Sequence, residues 1–552
     1  MSLQPTVDYV VPEQTARIAK AAFPKGVLCL QIYDHLGTIF QDQDFVGLFP
    51  GRGQPATAPF RLALVTLLQY VEGLSDRGAA NAVRGRLDWK YLLCLELENP
   101  GFDYSVLSEF RDRLLDGGVE HRLLEKLLMI LKAHQWVKAR VRMRTDSTQV
   151  LAAVREVNRL ERVVETLRAA LNALATVVPA WVRQTIPINW VERYGARAED
   201  YRLPQEDTQR AAHAERVGQD GYTLLQTLWS DRAPGWLRQI PAVERLRQVW
   251  VQNFHPCAEG GARWRAPGHL PPGSRYLNSP YDPEARYAKK RDKTWVGYKV
   301  HLTESCEEER PHLITNIHTT AATLGDNDAL PAIHQALAGT GLLPDIHLVD
   351  TGYVEAKRIL ESRDAYGVDL FGPIPGNHRW QFRQGDGFDL AHFQVDWPAR
   401  RVTCPRGKLS SLLRPGVDRR GNAVLYAAFR RDDCRSCESR SQCTSATGQR
   451  RTVTLKPQPL YEALTAARAR QQTLSFKEQY RQRAGIEGSI SQGVRAFGLR
   501  RCRYRGQAKT RLQHIAIAAA MNLVRLGAWF AGIKPGKTRK SIFVRTLAPL
   551  MA

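Results

Sequence analysis

Residues 137–146 read VKARVRMRTD, and the period of that stretch decides the fold. Val137, Ala139, Val141, Met143 and Thr145 alternate with Lys138, Arg140, Arg142, Arg144 and Asp146. A period of two is that of a strand with one buried face. The stretch is therefore expected to be a β-strand whose polar face carries four bases and ends in one acid. Helical periods flank it. Upstream, residues 61–72 place Leu64, Leu67, Leu68 and Val71 on one face, Gly73-Leu74-Ser75-Asp76 breaks the run, and Ala79, Ala82 and Val83 line a second helix capped by Ser75 or Asp76. Helix, short turn, helix fits a DNA-reading helix-turn-helix and equally an αα-hairpin in a bundle. Further helices are expected around residues 105–114 and 123–131. Downstream, Val157, Leu160, Val164, Leu167, Leu171 and Leu174 form a short heptad seam, able to pair two subunits or to close a local helical hairpin.

Farther out, residues 151–290 are rich in Arg, Trp, Pro and Gly without a clear strand pattern, and read as a helical/loop insertion with a basic surface. Strand signals return at 295–302 and 312–318. A helix capped by Asp326 or Asn327 follows, then a short strand at 346–349 ending in Asp350, a helix over 355–362 and a strand at 368–371. Strands alternating with helices predict an α/β fold with a mixed sheet. Residues 376–458 lose this order and hold four clustered cysteines. Beyond 460 the chain is helical, with Tyr480, Arg483 and Glu487 on one helix face at spacings of three and four. A last helix presents Leu512, Ile515, Ala519, Leu523 and Leu526 together.

The chain has 552 residues, enough for three or four domains. Hydrophobic residues at 43% and charged residues at 24% are those of a globular protein with a sizeable core, which excludes a mainly disordered chain or a small disulfide scaffold. No stretch of 18 apolar residues predicts a membrane span. The first residues, MSLQPTVDYVVPEQ, lack the pattern of a secretory signal, so a reducing cytoplasm is expected. Lys and Arg number 79 against 55 Asp and Glu, a net charge of +24, which points to an anionic partner and foremost to nucleic acid. After Glu487 there is no acid at all, but thirteen bases, among them Arg495, Arg500, Arg501, Arg503, Arg505 and Lys509, a bias suited to a phosphate backbone.

Asp146 and Asp350 each end a predicted strand, where ligands of α/β sheets bind. Two adjacent carboxylates repel each other, and a divalent metal removes that cost; oxygen-only ligands favour Mg²⁺ or Mn²⁺. Glu487 is the third carboxylate that would complete a two-metal site for phosphodiester chemistry, and Arg483, one turn before it, would hold that carboxylate or a phosphate. Cys404, Cys434, Cys437 and Cys443 suit tetrahedral structural zinc, the alternative being reduced thiols in a compact loop module. Trp295, Tyr353 and the Trp-rich insertion read mostly as core, with base stacking as the second reading. His301, His318 and His347 are assigned no role.

The strings MRTDSTQV, KTWVGYKVHLTESC, LVDTGY and YRQRAGIEGSISQGVRAFGLRRCRYRG resemble those of bacterial insertion-sequence DDE transposases of the 1182 type, related to the transposases with a Tyr-Arg-Glu-Lys signature. The resemblance implies an RNase H-like catalytic core formed by residues 137–150, 291–375 and 459–530. Around it lie a helical N-terminal DNA-binding domain (1–136), the insertion at 151–290, a Cys-rich zinc-binding insertion (376–458) and a basic tail (531–552). It makes Asp146, Asp350 and Glu487 the Mg²⁺ ligands, with Tyr480 and Arg483 part of the signature, and Val494 where the signature has Lys, with Arg495 beside it. Arg142, Arg144, Lys299 and the C-terminal bases would hold double-stranded DNA, both the element's terminal repeats and the target. A homodimer or higher assembly on DNA at the bacterial nucleoid is implied as well. A DNA-binding regulator without catalysis and a structure-specific nuclease on the same core are the competing readings.

Overall fold

The computed structural model describes residues 2–6, 8–257, 261–376, 379–445, 450–533 and 542–547. The chain divides into a larger unit, Met1–Val137 with Ser147–Leu324 and Glu487–Ala552, and a smaller one, Lys138–Asp146 with Gly325–Ile486.

In the larger unit the helix Gln507–Phe530 is buried nearly all round. Between Leu512 and Phe530 its only charged residue is Arg525, and a helix apolar on every side belongs inside a core. It packs against the helix Pro59–Val71, itself buried along almost its whole length. The Ser75 hydroxyl accepts the Gly78 N–H at 3.1 Å and starts the next helix, Asp76–Gly85. This pair of helices packs into the bundle through its first member and leaves Arg77, Asn81 and Arg84 exposed on its second, an arrangement open to either reading.

The strand β1 (Arg142–Leu151) runs from the smaller unit into the larger. It starts five residues later than its alternation suggests. Val137 is buried ahead of it and Arg140 has φ +56°, so residues 137–141 imitate strand alternation in a turn. In the larger unit β1 lies beside β3 (Lys293–Ser305), which pairs antiparallel with β2 (Arg286–Lys290) and with β4 (Ile314–Ala321). Gly297 permits the close approach of β3 to β1: a Cβ there would lie 2.1 Å from the Val150 carbonyl oxygen. Trp295 and Tyr353 are both buried, and the Trp295 indole N–H is spent on the Tyr298 carbonyl, which leaves neither ring available to stack on a base.

The insertion builds its own core from the helices Arg159–Val177, Asp207–Leu228 and Pro241–Asn253. The heptad seam is consumed there. Leu160, Val164, Leu167 and Leu174 are buried against Val217, Leu224 and Trp250, so the seam closes a local helical cluster and is not free to pair subunits. Trp250 is fully buried, its N–H bonded to the Gly218 carbonyl, and a Cβ at Gly221 would lie 2.1 Å from its ring.

In the smaller unit the start of β1 pairs parallel with β5 (Ile346–Leu348), and β5 pairs parallel with β6 (Asp369–Phe371). The helices Asp326–Gly339 and Ala356–Tyr366 supply the α/β alternation. The cysteine-bearing segment, expected to lack regular structure, contains five short strands among its described residues. The hairpin β7 (Gln394–Asp396) with β8 (Arg401–Thr403) is followed by the antiparallel set β9 (Arg414–Val417), β10 (Ala423–Ala428) and β11 (Thr452–Leu455). Its core is small: Phe393, Val402, Leu413, Ala427, Phe429, Val453 and Leu455.

Candidate active site

The parallel register of β1 and β5 aligns two acids. Arg142, Met143 and Arg144 stand opposite Ile346, His347 and Leu348. Asp146 and Asp350 are therefore each two residues past the last paired position, at equivalent points on neighbouring chains. Asp146 is inside β1 rather than at its end, but it lies beyond the last pair that β1 makes with β5. That is the carboxyl edge of a parallel pair, where α/β folds bind ligands.

Asp146 meets a cation. Its Oδ2 is 2.6 Å from Nη2 of Arg483, and the two side chains are only 13% and 14% exposed. Arg483 does not sit on one continuous helix with Tyr480 and Glu487. The helix Leu474–Tyr480 tightens into a 3₁₀ turn, Arg481–Ala484, before the helix Gly485–Ala496 begins. Tyr480 ends the first helix, stacked on Phe476, which stacks in turn on Phe371. The third and fourth bases of the predicted basic face hold this segment. Arg144 is 5% exposed and donates to the Gln482 carbonyl at 2.6 Å, and Arg142 reaches the side-chain oxygens of Gln479 and Gln482 at 3.4 Å. A side chain at Gly485 would displace the Arg144 guanidinium from this turn, since a Cβ there would lie 2.0 Å from its Nη1. Arg144 is thus a clamp on the Arg483 turn and not part of a solvent-facing phosphate surface.

Asp350 caps the turn Thr351–Tyr353, its Oδ1 accepting the Gly352 N–H at 2.8 Å. Asp326, expected from sequence only as a possible helix cap, is instead the first residue of its helix after the N-cap Gly325, and comes to the same place: a Cβ on Gly352 would lie 3.0 Å from Asp326 Oδ2 and 3.1 Å from Asp350 Oδ1. Directly beside Asp146, the Thr145 hydroxyl is 2.6 Å from Nε2 of His347, whose Nδ1 is 2.8 Å from Nε2 of His334. Burial holds both imidazoles neutral, pushing His334 down to about 4 and His347 well below its ordinary value, the latter also through its neighbour His334. Glu487 belongs to the larger unit and is exposed near the start of its helix. Val494, seven residues on, lies about 20° from Glu487 around the helix, and Arg495 about 80°. Arg495 is exposed but does not occupy the position the signature Lys would have.

Among the described residues, no three or more His, Cys, Asp or Glu are gathered closely enough to hold a metal ion. The donor set nevertheless suits a hard divalent cation. Asp146 and Asp350 offer only oxygens, and the charge of Arg483 rests on Asp146 as a stand-in for one. Cys404, Cys434, Cys437 and Cys443 line one cavity with Phe393 and Phe429. Cys404 sits in a knuckle in which the Gly407 N–H bonds the Cys404 carbonyl and the Lys408 N–H bonds its Sγ at 3.3 Å. The Cys443 thiol is pushed up by burial and by the other three sulfurs, against the opposing pull of Arg451.

Most of the bases proposed for DNA already have work inside the larger unit. Lys299 donates to the Leu324 carbonyl at 2.7 Å, and Arg500 to the Thr148 hydroxyl at 2.7 Å. Arg503 binds the Leu74 carbonyl and covers the Tyr70 ring, Arg505 covers Tyr281, and Lys509 pairs with Asp112 at 2.8 Å. Arg495 and Arg501 are exposed. Most of the basic tail, including Lys534, Lys537, Arg539 and Lys540, lies outside the described residues.

Residues 403–527 match the family described as "Transposase DDE domain", and residues 18–113 match "Transposase domain (DUF772)". The first match spans the four cysteines, Tyr480, Arg483 and Glu487, and stops short of Asp146 and Asp350. No curated protein and no solved structure matches the chain. No helix among the described residues is long and apolar enough to cross a membrane.

Proposed function

Since the chain is an insertion-sequence DDE transposase of the 1182 type, we propose that it cleaves and joins DNA at the ends of its own element through Asp146, Asp350 and Glu487. The observation that carries this reading is the register of β1 and β5, which brings Asp146 and Asp350 to equivalent positions past the last pair of two parallel strands. The two aspartates, with Glu487 by resemblance, would hold Mg²⁺ or Mn²⁺; the bound metal would supply an activated attacking oxygen and a stabilised leaving oxygen. Arg483 orients Asp146 through a charge-assisted hydrogen bond, and the Arg144 clamp fixes the turn that presents it. Exposed Arg495 and Arg501 contact phosphates, which positions DNA without reading its sequence. Bringing two element ends together calls for at least two copies on DNA.

The same reading assigns structural zinc to Cys404, Cys434, Cys437 and Cys443. Four thiols that line one cavity, though not gathered into a ligand set in this structure, and a knuckle with an N–H···S bond support it, in a module whose seven-residue core is small. Elemental analysis of purified protein should find one zinc per chain, and none in Cys434→Ser/Cys437→Ser.

The central test is cleavage of DNA carrying the native element ends, with and without Mg²⁺. Cleavage and strand joining should need the metal and vanish in Asp350→Ala while DNA binding persists. Salt-sensitive binding without cleavage by the unmutated protein would make it a regulator, and cleavage without joining a nuclease.

A further inference from the structure

The helix Gly485–Ala496 carries Glu487 on its exposed side and turns Ile486, Ser489, Ile490 and Gly493 inward, a spacing of three, four and seven. Ile486, Ile490 and Gly493 make ordinary packing: a Cβ on Gly493 would lie 2.9 Å from Leu499 Cδ2 and 3.4 Å from Met521 Sδ. Ser489 differs. Its hydroxyl donates to the carboxylate of Glu304, at the end of β3, and accepts from Nη2 of Arg525 at 2.7 Å. Arg525 in turn pairs with Glu304 at 2.8 Å through Nη1, and donates to the His312 carbonyl at 2.6 Å and to Gln492 Oε1 at 3.0 Å. Glu304 is completely buried. One ion pair, from a strand and from the central helix, thus grips the short helix at two points three residues apart.

We infer that Glu304 and Arg525, acting through Ser489 and Gln492, form a latch that sets the rotation of the helix Gly485–Ala496 and so the position of Glu487. Ser489 is two residues from Glu487, about 200° around the helix, so the latch holds the face opposite the acid. Burying two charges is a poor way to gain stability, because apolar side chains of similar size commonly do as well or better. What the pair supplies and apolar packing does not is a directional set of hydrogen bonds that admits one rotation. Glu304, Arg525 and Ser489 are positioning residues, not catalytic ones, and their role rests on Glu487 being the third acid.

The test separates position from stability in the full-length protein. Glu304→Met with Arg525→Met replaces the pair by apolar side chains; Ser489→Ala removes only the hydroxyl and serves where the double variant does not fold. Element-end cleavage, Mn²⁺ binding by electron paramagnetic resonance, DNA-end affinity and melting temperature are measured for each. The latch predicts cleavage slowed at least tenfold and Mn²⁺ held several-fold more weakly. Melting temperature and DNA affinity should stay close to wild type, and adding Ser489→Ala to Glu487→Gln should cause little further loss. Wild-type cleavage and Mn²⁺ binding in the folded variants overturn the latch. So does a loss that tracks melting temperature and adds fully to that of Glu487→Gln. Failure of the underlying site reading looks different: Glu487→Gln itself is then silent in cleavage and Mn²⁺ binding, and the latch falls with it.

Discussion

Each unit of the chain contains a carboxylate–arginine pair of nearly the same length in different surroundings. Asp146–Arg483 in the smaller unit spans 2.6 Å, and Glu304–Arg525 in the larger spans 2.8 Å. Glu304 is sealed from solvent and Arg525 is tied to three further acceptors. Asp146 stands at the edge where β1 and β5 stop pairing, and keeps some contact with water. A pair whose acid is sealed and whose guanidinium nitrogens are all bonded is architecture. A pair at the mouth of a parallel sheet, with a second acid in register beside it, is, on the proposed reading, the one that would exchange its cation. Geometry alone does not distinguish the two; the surrounding donors and the register do.

Four outcomes would sharpen or break this contrast. The largest effect belongs to the open pair and is on rate: Asp146→Asn or Asp350→Asn should slow element-end cleavage by about 10⁴-fold or more, over 5 kcal/mol in barrier, with gel-shift affinity for the ends retained. The enclosed pair should dominate stability. Glu304→Ala should cost about 3–5 kcal/mol by urea unfolding, because it strands the Arg525 charge. Arg483→Ala should cost less, about 1–3 kcal/mol, since water can still reach Asp146. Equal costs would erase the distinction.

Next comes acid. His334 and His514 are both pushed down to about 4 by burial, His334 in the smaller unit and His514 beside Thr319 in the larger. A neutral buried imidazole binds fewer protons than the same residue unfolded, at an ordinary value near 6.5. Its contribution is full above that value and drains away as pH falls toward 4. Between pH 7.5 and 5 each should remove about 2 kcal/mol, seen as a drop in melting temperature. His334→Gln and His514→Gln should each flatten that dependence. The smallest effect is at the surface: Lys509→Ala breaks a half-exposed pair with Asp112 and should change stability by no more than about 0.5 kcal/mol.

Local periodicity carried most of the elements, including the helices around Leu64, Leu330 and Leu512 and the strands near 295, 314, 346 and 369. It misled where a turn mimics alternation, as at Val137–Val141, and where a heptad is spent inside the chain, as at Leu160–Leu174. The transposase signature spacing singled out Arg483 and Glu487 but could not show the 3₁₀ turn between Tyr480 and the next helix, whose Gln482 carbonyl is bound by Arg144 from 338 residues away. Arg144 itself looked like a surface base because a strand's polar face reads the same whether it meets water or another segment. Asp326 was overlooked as an ordinary N-terminal helix acid. The latch had one legible trace, the lone charge of Arg525 in an otherwise apolar helix face. Its partners Glu304 and Ser489 are 221 and 36 residues away, and only packing identifies them.

The insertion's core residues all fall between Leu160 and Leu277. A stretch of gene that encodes a complete hydrophobic interior can be lost, duplicated or traded as a cassette without emptying the interior of what surrounds it. For a mobile element this localises variation: new surfaces can be tried in that cassette while the chemistry on either side of it keeps its register.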